Sequence, residues 1–135
     1  RTWRSQVATG LNYDASLGSA STVGFQHGYD PLRPFGDEFV VFPLTVMEQA
    51  LPDPDTAFDA AWETCRRLLD EAAANDAVMT VLWHPRYFNE TEFPGYRRLY
   101  ERLVERAQTM GAWVGPPGSL YDRLEHERRD APTRR

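Results

Sequence analysis

The run Val78-Met79-Thr80-Val81-Leu82-Trp83 constrains this chain more than any other stretch. It is short, uncharged and mostly β-branched or aromatic, which is the pattern of a buried strand. His84-Pro85 closes it, because proline has no N–H to give to a sheet ladder. A histidine therefore stands at the carboxyl end of a core strand. In α/β proteins that end is where ligands bind and chemistry occurs.

The elements on either side alternate. Pro52-Asp53-Pro54-Asp55 breaks the chain, and a helix is predicted over residues 56–75. Thr56, with Asp59 three residues on, has the form of a capping box with Asp in place of the usual Glu. Phe58, Trp62, Cys65, Leu69 and Ala72 form the apolar stripe of that helix. A second helix is predicted over residues 95–110, with Tyr96, Leu99, Leu103, Ala107 and Met110 on one face and Gly111 as its stop. Ala112-Trp113-Val114 reads as a short strand and Gly115-Pro116-Pro117-Gly118 as a turn. Ser119 is placed to cap a final helix with Leu120 and Leu124 inward, and the charged tail from Arg128 is expected to fray.

The first 55 residues are rich in loops. Leu11-Asn12-Tyr13 and Phe39-Val40-Val41-Phe42 are strand candidates, the second closed by Pro43. Residues 15–22 read as a loop and residues 23–28 as an extended segment. Residues 44–51 read as turning from extended to helical. The chain thus divides into a loop-rich strand region (1–55), an alternating helix and strand region (56–128) and a tail (129–135). The fold class is α/β, with parallel strands and outer helices.

Composition excludes several function classes. A net charge of -5 removes any general attraction to nucleic acid or to an anionic membrane. No apolar run reaches spanning length and no signal peptide is visible, so a cytoplasmic location is the expectation. The single cysteine, Cys65, excludes an internal disulfide and a CxxC metal site; within an apolar stripe it should be an inert thiol. Arg97, Arg98, Arg102 and Arg106 alternate with Glu101 and Glu105, the pattern of a solvated helix face. Asn89-Glu90-Thr91 matches a glycosylation sequon, a match frequent by chance. Trp62, Tyr96 and Tyr100 lie at helical spacing and read as core.

His84 is the leading catalytic candidate, against the plainer reading of a histidine that bonds a loop carbonyl. Arg86 and Tyr87 follow it and can line a cleft or simply pack at the rim. His27, beside Gly28, can face the same cleft or belong to an ordinary loop. Asp14 can orient a catalytic partner, or bond the backbone near Ser16 as turn residues do. Glu48 is either a cleft carboxylate or, more conservatively, a solvated residue of a loop or first helical turn.

Several motifs, in order, resemble a known family. Leu11-Asn12-Tyr13-Asp14-Ala15-Ser16-Leu17-Gly18 looks like a strand ending in a "YDSS" motif. Gly24-Phe25 and His27-Gly28 look like a "GFR-G" segment. Phe42-Pro43-Leu44 with Met47-Glu48 resembles "lPl-vmD", with Glu48 in place of Asp. Leu82-Trp83-His84 resembles a late "LxH" motif, and Gly111-Ala112-Trp113-Val114 a closing strand. Over residues 9–125 the chain thus resembles the C-terminal half of a polysaccharide deacetylase-like domain of the NodB-homology type. The resemblance implies a partial, distorted (β/α) barrel and the removal of N- or O-acetyl groups from a carbohydrate substrate. It makes His84 the general acid or oxyanion stabiliser and places Leu82 against the acetyl methyl. It also implies a divalent metal, usually zinc, held by an aspartate and an H-x-x-x-H pair in an N-terminal half.

Those metal ligands have no counterpart here. The histidines are His27, His84 and His126, and no two have that spacing. No cofactor is expected to bind this chain alone, which should be inactive by itself. The sequence begins at Arg1, and the expected partners are an N-terminal half or a second copy of the chain. The alternative reading is a non-catalytic α/β domain that binds sugar or a protein.

Overall fold

A proline cannot donate to a sheet ladder, and Pro43 interrupts the strand-forming run 39–47. The computed structural model describes residues 2–130. Two short parallel pairs replace a continuous sheet among them. β1 (Tyr13–Asp14) pairs with β2 (Val40–Val41), and β3 (Leu44–Met47) pairs with β4 (Thr80–Leu82). Pro43 separates β2 from β3 and ends the first pair. Four helices accompany them: α1 (Thr2–Ala8), α2 (Phe58–Ala74), α3 (Tyr96–Thr109) and α4 (Pro117–Asp130). The protein is therefore a mixed helix and parallel-strand chain. No closed barrel is formed by the described residues.

The unit that matters for function is β3–α2–β4. Parallel neighbours cannot be joined by a tight turn, so the chain crosses over through α2. Ala61, Cys65, Leu68 and Leu69 of α2 are buried against Val46 of β3 and against Leu99 and Leu103 of α3. Burying four or five such side chains contributes on the order of 10 kcal/mol of gross hydrophobic stabilisation, which fixes the strand pair beneath the helices. The α3 start depends on Gly95. It sits at φ 88° with Pro54 against it, so that an added Cβ would lie 2.8 Å from the Pro54 carbonyl oxygen. Gly111, at φ 87°, ends the helix while Ala112 N–H donates back to the Ala107 carbonyl.

Several expectations are corrected. The strand is Thr80–Leu82, shorter than the run 78–83, and it is half-buried because β3 covers only one of its edges. Thr56 does not cap α2: the N-cap is Ala57, which has no side-chain bond, and the turn is instead held by Asp53, whose carboxylate accepts the Asp55 N–H. Ala112–Val114 forms no strand and pairs with neither strand pair among the described residues. The final helix starts at Pro117, so Ser119 lies inside it. Leu120 and Leu124 are half-buried beside the exposed Ser119, Asp122 and Arg123, in keeping with an inward side. Arg128 does not fray: it is inside α4 and holds Glu125 at 3.0 Å. The rest of the expected tail, residues 131–135, lies outside the described residues.

The arginine face of α3 is not simply solvated. Arg98 lies 4.1 Å from the Phe58 ring centre and Arg102 4.4 Å from the Trp62 ring. These cation–π contacts use the rings of α2 that were read as core, and both rings are only half-buried. Cys65 is buried in the core as expected, and burial pushes its thiol up to about 12.

Candidate functional site

Parallel strands paired in register finish side by side. Met47 lies opposite Leu82, the last residues of β3 and β4. The next residue of the first strand is Glu48, and two residues beyond Leu82 comes His84. The chain after β3 turns through a short 3-10 segment, Glu48–Ala50, and the chain after β4 through another, Pro85–Phe88. Both turn immediately, so the two side chains stay together at the same sheet end.

Glu48 is fully buried, at 0 % exposure. Among the described residues its carboxylate bonds His84 alone. One oxygen, Oε2, accepts the backbone N–H of His84 at 3.0 Å, and the other, Oε1, lies 2.5 Å from His84 Nδ1. A carboxylate has only lone pairs to offer, so the ring donates its Nδ1–H and its Nε2 is the nitrogen left open. The His84 side chain is 39 % exposed, and among the described residues nothing bonds Nε2. A buried carboxylate without partners would be prohibitively costly. Here the backbone and the ring of one residue satisfy both oxygens, which also fixes the rotamer of the imidazole. The conservative expectation of a solvated Glu48 is thus overturned: the β3–β4 register carries it inward.

Aromatic rings back this pair. The Tyr87 ring is centred 6.3 Å from the His84 ring and is buried, packed on Phe93 at 4.4 Å and Tyr96 at 4.7 Å. Arg86, exposed, lays its guanidinium 5.3 Å from the Tyr87 ring centre. The Tyr96 phenol is held above its usual range, first by burial, then by the neighbouring Asp53, Tyr87 and Glu48. Leu82 is half-buried at the end of β4, opposite Met47.

The other candidates fall elsewhere. Asp14 is buried at the end of the first strand pair. One of its oxygens accepts the Trp3 indole N–H at 2.9 Å and the other the Ser16 N–H at 2.9 Å. This is the backbone-bonding turn role, with α1 tied on as well. His27 is exposed in a turn. Among the described residues no hydrogen bond or ring contact joins either of them to His84. Leu82, Arg86, Tyr87 and His84 are brought together; Asp14 and His27 are not part of that constellation. The residue that composition alone could not select is Glu48. Its signal was positional, a carboxylate directly after an apolar strand that parallels the one ending in His84.

A zinc ion does not suit these residues. Among the described residues no three His, Cys, Asp or Glu side chains are grouped to share a cation, and both Glu48 oxygens are occupied by His84. What the arrangement offers chemically is one oriented imidazole with an open nitrogen, backed by a buried anion. No helix among the described residues is long and apolar enough to cross a membrane. No family model, no curated protein and no solved structure matches the chain.

Proposed function

We propose that this chain carries the proton-transfer part of a carbohydrate deacetylase-like hydrolase, as the C-terminal portion of a distorted (β/α) barrel. The observation that carries the reading is the Glu48 clamp on both the backbone and the ring of His84. Hydrolysis of an acetamide or acetyl ester needs a nucleophile, charge stabilisation at the carbonyl oxygen and a proton for the leaving group. His84 serves the last two. Glu48 holds the ring in one tautomer and stabilises the imidazolium that forms when Nε2 takes up a proton. That proton then passes to the departing amine or alkoxide. Leu82 lies against the acetyl methyl, and the exposed Arg86 faces the sugar, with the buried Tyr87 ring packed behind it.

Activation of the attacking water is not assigned to any described residue. The metal and its ligands belong to the N-terminal half that the resemblance implies, and no step here runs through them. The alternative, a sugar-binding domain without chemistry, draws on the same exposed Arg86. The test is acetate release from acetylated chitooligosaccharides by the full-length gene product, compared with His84→Asn. The expected loss in kcat is about 10²- to 10⁴-fold, the usual worth of a positioned acid or base. Oligosaccharide binding without acetate release establishes the non-catalytic alternative. Equal turnover in the variant removes His84 from the chemistry.

A further inference from the structure

α2 and α3 bury apolar stripes, whereas the only buried residue of α4 is an acid, Glu125, at 5 % exposure. Its Oε1 accepts from Arg33 Nη1 at 2.9 Å, and its Oε2 accepts from Arg128 Nε at 3.0 Å. Arg33 comes from the segment before β2, and its Nη1 also donates to the Asp37 carbonyl at 2.8 Å. The apolar part of the joint is small. Tyr121 stacks on Tyr13 of β1 with ring centres 5.6 Å apart, and Leu120 and Leu124 are half-buried. Residues 112–116, which lead into α4, are exposed and belong to no helix or strand. The buried core formed by β3, α2 and α3 contains no residue of α4.

We infer that α4 is a detachable strap over the first strand pair, held shut by Glu125 and released when that carboxylate is neutralised. A carboxylate so deeply buried is costly unless paired, and its two guanidinium partners supply the pairing. Neutralising it removes the charge that both arginines answer. The other charged groups at the joint do not substitute for it. Glu125 and Arg128 line a hollow of about 440 Å³ together with Glu38, Asp122 and Arg129, and those three are exposed. The Asp37 carboxylate accepts the Phe39 N–H. Tyr121 keeps its proton through the acid range, its phenol held above the usual value first by burial.

The direction of the pH effect follows from the same contacts. Burial opposes ionisation of Glu125, but the bonds from Arg128 and Arg33 outweigh it and leave the carboxyl below its ordinary range. A lowered folded value means that docking is at full strength above the ordinary carboxylate range and weakens as pH falls through the lowered value. A helix of 14 residues is marginal in water without packing, so an undocked α4 melts. Release uncovers the Tyr13 face of β1 while β3, β4, α2 and α3 keep their own core. None of these contacts involves His84, so the strap is independent of the chemistry proposed there.

Residue-resolved amide exchange on the whole chain, followed from neutral pH into the acid range, tests it. At neutral pH the α4 amides should be at least about 10-fold less protected than those of Leu99 and Leu103. In acid, α4 should reach the unprotected rate and lose its Tyr13–Tyr121 ring contacts while α2 and α3 stay protected. Arg33→Met should lower α4 protection about 10-fold at neutral pH, the worth of one hydrogen bond to a charged group. Arg33→Met combined with Glu125→Leu replaces the ion pair with apolar side chains and should keep α4 docked in acid. An α4 that stays protected in acid, or that loses protection only together with α2 and α3, overturns the inference. So does unchanged α4 protection in Arg33→Met, or an acid release that the double variant shares.

Discussion

Replacing Glu48 with Gln tests the geometry of the site without changing its shape. The native carboxylate accepts twice: from the His84 backbone N–H at 3.0 Å and from ring Nδ1 at 2.5 Å. An amide accepts with its oxygen only; its nitrogen donates. The backbone N–H cannot change sign, so the Gln oxygen must face it and the NH₂ must face the ring. The ring then has to accept at Nδ1, and its proton moves to Nε2. Glu48→Gln is therefore predicted to invert the tautomer of His84. Two charge-assisted bonds, each worth about 1.5–3 kcal/mol, become neutral ones worth about 0.5–1.5 kcal/mol. Relief from burying a charge offsets part of that, leaving a net loss of about 1–2 kcal/mol. Glu48→Ala strands the backbone donor as well and should cost about 3–5 kcal/mol. The assay is long-range ¹H–¹⁵N correlation of the imidazole nitrogens, above the imidazole titration range, with urea unfolding for stability. His27 and His126, both exposed, serve as internal controls. A His84 ring that keeps Nδ1–H in Glu48→Gln, at native stability, would refute the claim that this carboxylate sets the tautomer.

Gly95→Ala should destabilise by about 2–3 kcal/mol, since it forces a positive φ on a side chain whose Cβ meets the Pro54 carbonyl oxygen at 2.8 Å; a urea midpoint equal to wild type would contradict this. Cys65 is held neutral by burial, its thiol pushed up to about 12 from an ordinary value near 9. A raised folded value means that its contribution is intact below pH about 9 and is lost as pH rises toward about 12. Stability should fall over that window, and less so in Cys65→Ala, while thiol reagents at pH about 8 should label Cys65 only on unfolding; prompt native-state labelling would exclude the buried placement. At Glu125, burial pushes the carboxyl up, but the hydrogen bonds from Arg128 and Arg33 outweigh it and leave the value lowered. That contribution is present above the ordinary carboxylate range and is lost as pH falls through the lowered value. Arg33→Met should therefore lose stability at neutral pH and show a weaker acid dependence; superimposable pH profiles would argue against the pairing.

How much of this was legible beforehand depended on whether the determinant was local. The periodicity of Cys65 and Leu69, and that of Leu99 and Leu103, is local, and both helices formed close to their expected bounds. The break at Pro85 is local too, although the strand itself ends sooner, at Leu82. Glu48 was different. Its burial comes from the pairing of Met47 with Leu82, residues 35 apart in sequence, and no pattern within either segment states that register. Thr56 shows the converse failure: a capping signature was present, but Asp53 took the turn first. Ala112–Val114 has the composition of a strand, and strand composition describes a surface suited to pairing, which the neighbour must then supply.

The placement of the dyad within one β–helix–β unit has a consequence for how its geometry is held. Both members come from the ends of β3 and β4, and the helix between them, α2, buries its stripe against the same strand pair. The other strand pair, β1 with β2, instead ends in Asp14, whose carboxylate is consumed by Trp3 and Ser16. The two parallel pairs thus present an acid at the same structural position, the end of a short strand, with opposite outcomes. Asp14 has a turn amide and an indole in reach, so its charge is absorbed by structure. Glu48 bonds only His84 among the described residues, so its charge is transmitted to a ring that keeps one nitrogen open. The chemical difference between the two sites lies in the residues just past the neighbouring strand. Beyond β2 stand Phe42-Pro43, which offer no titratable group, and beyond β4 stand Trp83-His84, which do.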